Sequence, residues 1–193
     1  MTARFKLPKD LQHRRLLLET ALAKPLLGEW PKDGEKDSPF EDAPQPEAIG
    51  RVLIDELHDH LKTAHIAYVF KKDMKAKGRT KLGTAKRAGG ELHWFTDHDF
   101  VISLNWTTWR LLEPLQRIAL MDHELCHCVQ DEEGMAWGMQ DHDVKEFGVI
   151  VRRYGLWTPD LTRFAKDVEK AAQLGLFDEA PAEEQLAGAG AER

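Results

Sequence analysis

Apolar positions three and four apart alternate along this chain with short apolar runs, and Gly, Pro and Asn punctuate them. Pro8 to Lys24 reads as a helix with Leu11, Leu18, Ala21 and Leu22 in its apolar set, ended by Pro25, Gly28 and Pro31. Trp30 to Pro46 mixes Pro31, Gly34, Pro39, Pro44 and Pro46 with charged residues and has no period, so it reads as a linker. Glu47 to Thr63 reads as a helix that buries Ile49, Val52, Leu53, Leu57 and Leu61. Ile66 to Phe70 is a short apolar run of strand type, and Thr80 to Ala88 is expected to form a hairpin with it. Glu91 to Phe95 is expected as another short strand, and Phe100 to Leu104 is the clearest strand of all. Asn105 can cap a short helix over Trp106 to Leu112, with Trp106, Trp109 and Leu112 on its packed face.

The longest uninterrupted helical pattern follows. Pro114 suits a first helical turn, and no Gly or Pro interrupts Leu115 to Glu133. Leu111, Leu115, Ile118, Met121, Leu125 and Val129 make one apolar stripe, which implies a helix buried along its back. Asp131 to Asp141 reads as a loop containing Gly134 and Gly138. Val144 to Tyr154 reads as a helix packed through Val144, Phe147, Ile150 and Val151 and stopped by Gly155. Pro159 to Leu174 reads as a last helix, and residues 175–193, rich in Ala, Gly and Glu, read as a disordered tail. The organisation expected is an N-terminal helical extension and linker (1–45), a central domain (46–158), a C-terminal helix (159–174) and the tail.

Composition narrows the setting. A net charge of −6 argues against a general nucleic-acid binder, though not against a local basic face. No apolar run approaches the roughly 18 residues of a membrane span. Glu19 cuts short the apolar run after Arg14 and Arg15, so no secretion signal is expected. Cys126 and Cys128 point in different directions on one helix and cannot bridge each other, which favours a reducing, cytoplasmic setting and a packing role for both. Lys71, Lys72, Lys75, Lys77, Arg79, Lys81, Lys86 and Arg87 face a single acid, Asp73, between positions 71 and 87. That stretch suits a solvated, lysine-protected edge or a surface for phosphates or an acidic protein. It contains no aromatic residue for base stacking.

Chemistry enters at His123-Glu124-Leu125-Cys126-His127, which fits the zinc pattern H-E-x-x-H. Residues four apart share a helix face, so His123 and His127 can aim two imidazoles at one ion. Glu124 stands beside them, where a carboxylate can take a proton from activated water. A catalytic zinc takes three protein ligands and leaves a position open. His142 is the third candidate, at the head of a new helix, with Glu146 as the fallback. Asp141 and Asp143 are placed to hold the second ring nitrogens, and Asp122 is a candidate for support behind the ligands. His58 and His60, two apart on a helix, are poor co-ligands and are expected on a solvated face. Tyr154 and His98 are candidates for stabilising an oxyanion.

Phe100–Leu104, Trp106, Leu111, the His123–His127 motif, Asp141-His142-Asp143-Val144 and Glu146-Phe147 together resemble the phage metallopeptidase family, and more distantly SprT-like zincins. The resemblance spans about Pro46 to Trp157. It implies an α+β, zincin-like fold: a small antiparallel sheet packed on the H-E-x-x-H helix, with further N- and C-terminal helices. It implies Zn2+ on His123, His127 and His142, Glu124 as the catalytic acid/base, and a phage or prophage origin. It also implies a peptide or protein substrate laid along an edge strand, here Phe100, Val101, Ile102, Ser103 and Leu104. The chain departs from the metzincin pattern, with Gln130 and Glu133 where that pattern has Gly and His. The function expected is zinc-dependent peptide-bond hydrolysis. The alternative is a nucleic-acid-associated phage protein, with zinc structural or serving a DNA-linked protease, that uses Lys71–Arg87.

Overall fold

Amphipathic helices and short apolar strands assemble into an α+β arrangement in the computed structural model, which describes residues 5–26, 29–30, 39–76, 78–131, 133–142 and 146–173. Residues 31–38 of the expected linker, Lys77, Asp143, Val144 and the expected tail lie outside the described residues. The chain divides into two units, Met1–Gly155 and Leu156–Arg193. In chain order the first unit contains α1 (Arg15–Leu22), β1 (Phe40–Asp42), α2 (Pro44–Leu57), β2 (Ile66–Lys71), β3 (Lys75–Ala76), β4 (Arg79–Thr80), β5 (Gly83–Arg87), α3 (Gly90–Thr96), β6 (Phe100–Asn105), α4 (Trp106–Trp109), α5 (Pro114–Cys126), β7 (Cys128–Gln130), β8 (Trp137–Met139) and α6 (Gly148–Tyr154). The second unit carries α7 (Pro159–Gln173).

The main sheet has the order β1-β2-β6-β5. β1 is antiparallel to β2, β2 runs parallel to β6 from Ile66↔Phe100 to Lys71↔Asn105, and β5 is antiparallel to β6 from Gly83↔Leu104 to Arg87↔Phe100. The sheet is therefore mixed, not antiparallel as expected. The expected hairpin between the 66–70 and 80–88 runs does not form, because β5 takes β6 as its partner. The basic segment between them folds into its own small hairpin, β3 with β4, closed by Lys81 N donating to the Met74 carbonyl. The strand expected at Glu91–Phe95 is a helix, α3. Its Leu92, Trp94 and Phe95 stand exposed. Asp97, at φ 56°, ends that helix in the left-handed region.

One sheet face is the core. Phe70, Phe100, Ile102 and Leu104 are fully buried there, as are Ile49 and Leu53 of α2 and Ile118, Met121 and Leu125 of α5. α2 starts at Pro44, earlier than expected, with proline in its first turn. Gly50 on α2 admits the Tyr68 ring: a Cβ at residue 50 would stand 2.7 Å from the Tyr68 hydroxyl. α5 opens with a capping box in which Glu113 and Gln116 satisfy each other's backbone N–H groups. Leu111, expected on its stripe, lies before the helix and is exposed. α5 also ends sooner than the pattern implied, at Cys126. The residues that follow form β7, paired with β8 where a loop was expected, and Gly134 in the left-handed region turns the hairpin. α6 begins at Gly148, four residues later than expected, and stops where expected at Gly155, whose φ of 69° suits glycine. No helix among the described residues is long and apolar enough to cross a membrane.

The Tyr68 hydroxyl is buried with no hydrogen-bond partner among the described residues. A buried unpaired hydroxyl costs about 1–3 kcal/mol, so Tyr68→Phe is expected to raise unfolding stability by about 1 kcal/mol. Urea unfolding checks this, and a loss of stability would show that the hydroxyl is satisfied.

Candidate metal centre

α5 carries three consecutive polar residues, and the helical step of about 100° per residue sends them in three directions. His123 points toward His127 and His142. His127 caps the helix with helical backbone angles (φ −71°, ψ −24°), so its ring stays one turn from that of His123, with centroids 5.1 Å apart. The chain returns through the β7–β8 hairpin, and Gln140 is tied to His127 twice. Gln140 N donates to the His127 carbonyl at 2.9 Å, and His127 Nδ1 donates to the Gln140 carbonyl at 2.7 Å. That anchor delivers His142 two residues later. Its ring centroid lies 4.9 Å from that of His123 and 4.6 Å from that of His127, and the Nε2 atoms of His123 and His142 are 3.1 Å apart.

One nitrogen from each of the three rings lies within 4.8 Å of the others. At zinc–nitrogen distances of 2.0–2.1 Å a tetrahedral ion separates its ligand atoms by about 3.3 Å, so these rings could hold one with little movement. The second nitrogens agree. A carbonyl only accepts, so the Gln140 bond fixes the proton of His127 on Nδ1 and leaves its Nε2 lone pair for the cluster. His123 Nδ1 bonds the carboxylate of Glu146, which also accepts from Phe147 N. Glu146, the fallback ligand, is thus an orienting group behind His123. It takes the role expected of Asp141, which is exposed, and of Asp143, which is outside the described residues. Burial is the largest influence on His123 and disfavours its charged form, but the Glu146 bond and the charges of Glu124, Glu146 and Asp122 together outweigh it and lift the ring above its ordinary range. Burial lowers His127 and His142. The Phe147 ring lies 4.8–5.5 Å from all three imidazoles and walls one side of the cluster.

Glu124 turns toward β5. A Cβ at residue 83 would come within 2.5 Å of its Oε1, so only glycine lets the strand approach. Burial pushes the Glu124 carboxyl up to about 7, against the pull of His123, Lys81 and the Ala85 N–H that bonds it. Asp122 points the opposite way, into a buried hub. His58 Nε2 meets its Oδ1 at 2.7 Å, while Arg153 and the Tyr154 hydroxyl donate to its Oδ2, each at 2.9 Å. His58 is therefore buried and bonded, not solvated as expected, whereas His60 is exposed, with Nε2 near the Cys128 carbonyl. Cys126 joins His58 and Asp122 in a second group of donor atoms within 4.8 Å, but the Asp122 oxygens there already have partners. Tyr154 serves Asp122 and is not aimed at the histidines. His98 sits in the loop before β6, where its carbonyl accepts from His93. Phe100–Leu104, expected at the sheet edge, is interior: β6 has β2 on one side and β5 on the other. The edge beside Glu124 is β5.

Burial works to raise Asp122, yet its bonds to His58, Arg153 and Tyr154 win and hold it below the ordinary carboxylate value of 3.8. A depressed carboxylate stabilises the fold above its unfolded pKa, and that contribution is lost as pH falls through the folded value. Asp122→Asn is expected to cost about 3 kcal/mol near neutral pH by removing the buried charge that His58, Arg153 and Tyr154 converge on. The gap to the unmutated protein is expected to close as pH falls below 3.8. Urea unfolding across pH measures both.

No curated protein and no solved structure matches the chain. A family model does, from residue 38 to residue 171, a span that holds the sheet, α5, the three histidines and Glu146. The chain belongs to the family that this model describes, Putative phage metallopeptidase.

Proposed function

We propose that this chain is a zinc-dependent peptidase of zincin-like architecture in which His123, His127 and His142 hold the ion and Glu124 moves the proton. The convergence of three imidazoles, two of them oriented through their far nitrogens, carries this reading. Three nitrogen ligands beside a carboxylate that is not itself a ligand suit a catalytic zinc, which keeps a position open. Bound zinc supplies Lewis acidity toward the scissile carbonyl and toward water.

The chain's own residues do the rest. A Glu124 oxygen accepts the proton of the attacking water as its oxygen bonds the carbonyl carbon. The same oxygen gives that proton to the amide nitrogen as the C–N bond breaks. Gly83 and Ala85 hold the carboxylate against β5, and burial keeps bulk water from it. The edge strand also suits an extended substrate. Asn105 N donates to the Leu82 carbonyl and Ala88 N to the Asp99 carbonyl. The antiparallel alternation then turns the main-chain groups of Gly83, Ala85 and Arg87 outward, away from β6. A peptide adding to that edge would pass beside Glu124. β5 thus takes the place that the sequence assigned to Phe100–Leu104. The nucleic-acid-associated reading rests on the basic Lys71–Arg87 stretch, of which Lys81 leads into β5 and Lys86 and Arg87 stand on it, so that these serve a peptide substrate equally.

Glu124→Gln is expected to lower hydrolysis by about 10²–10⁴-fold while zinc content, read by mass spectrometry of the metal, is unchanged. Undiminished hydrolysis would remove Glu124 from the mechanism. Glu146→Gln is expected to weaken zinc binding by about 10–100-fold through loss of its hold on His123. Competition with a zinc chelator measures that change, and anomalous scattering at the zinc edge identifies the ligands.

A further inference from the structure

The peptidase reading leaves a block of charge unused. Lys71, Lys72, Lys75, Arg79, Lys81, Lys86 and Arg87 are all exposed, in a chain whose net charge is −6. Among the described residues none of the seven joins an ion pair, and Lys71 alone lies over a ring, that of Phe40. Lysine on an exposed edge strand discourages unwanted pairing. That role needs charge on β5, but Lys75 and Arg79 stand on the separate β3–β4 hairpin. The hairpin leads through Lys81 and Leu82 directly into Gly83, the residue against which the Glu124 carboxylate rests. The charged hairpin therefore runs directly into the edge strand at the proposed catalytic group.

Building on the peptidase reading, we infer that the substrate is an acidic segment of polypeptide laid along the outer edge of β5, its carboxylates met by the β3–β4 hairpin, Lys81, Lys86 and Arg87. Charge complementarity selects an anion. The strand edge selects the kind of anion, because its outward groups, apart from the Ala85 N–H that bonds Glu124, include both N–H donors and C=O acceptors. A polypeptide backbone answers both, whereas a phosphodiester backbone offers acceptors alone. No aromatic side chain lies between Lys71 and Arg87 to stack a base.

The test uses the zinc-loaded full chain carrying Glu124→Gln, so that binding is read without turnover. Fluorescence anisotropy compares labelled extended peptides of equal length that are rich in Glu and Asp, in Asn and Gln, or in Lys, with a single-stranded oligonucleotide as a further ligand. The acidic peptide is expected to bind at least about tenfold more tightly than the neutral one, and to weaken several-fold as salt rises from about 0.05 to about 0.2 M. Combining Lys75→Glu, Arg79→Glu and Lys81→Glu is expected to abolish that preference without changing the melting temperature or zinc content. Lys86→Glu alone is expected to reduce it. Equal binding of neutral and acidic peptides, or tighter binding of the oligonucleotide, would overturn the inference. So would a preference that survives the triple reversal. Hydrolysis of an unfolded protein by the unmutated chain, measured alongside, reports separately on the peptidase reading. Hydrolysis without charge preference defeats this inference alone, and charge preference without hydrolysis defeats the reading beneath it.

Discussion

The tie between His127 and Gln140 is the constraint on which the site depends. One residue pair makes two hydrogen bonds, one through the His127 carbonyl and one through its ring. Both require α5 to stop at Cys126. In a helix continued by another turn, the His127 carbonyl would accept from residue 131 and the returning strand would have nothing to hold. The β7–β8 hairpin extends the same tie toward its turn, with Cys128↔Met139 next in register. His142 then arrives at the ring of His123 because the chain has been measured out from His127.

Asp122, His123 and Glu124 divide the labour of α5 among three environments. Asp122 anchors the helix from behind through His58, Arg153 and Tyr154. Glu124 is packed into the sheet edge, where burial raises its pKa. His123, between them, is aimed at the other imidazoles and braced by Glu146. A displaced helix would disturb all three environments together.

How much of this could be read in advance follows from how local each signal is. The His123–His127 pair was legible because four residues on a helix make one turn whatever surrounds it. His142 was legible as a candidate by residue type and by its place after a returning segment. The bracing groups were harder to read. The Gln140 partner is a main-chain carbonyl, to which no residue type points, and Glu146 resembled a ligand because carboxylates fill either role. His58 looked solvated because its partner Asp122 lies 64 residues away in sequence. Sheet order is non-local in the same way. Phe100–Leu104 is apolar enough to be a strand anywhere, and only its pairing with β2 as well as β5 shows that it lies inside the sheet. The end of α5 was missed because Cys128, Val129 and Gln130 continue a helical spacing as readily as they pair in a hairpin.

Arg153 reaches past Asp122 to Asp10, at 3.0 Å, in the turn that precedes α1. Gln45 at the head of α2 donates to the carbonyls of Leu22 and Lys24 just beyond α1, and Leu7, Leu11, Leu18 and Ala21 are buried. Residues 7–24 thus behave as a keystone for the back of α5. A fragment begun at the family motif would lose one partner of Arg153 and strip an apolar lining from α2, so a stably folded fragment has to retain the chain from about residue 5 onward.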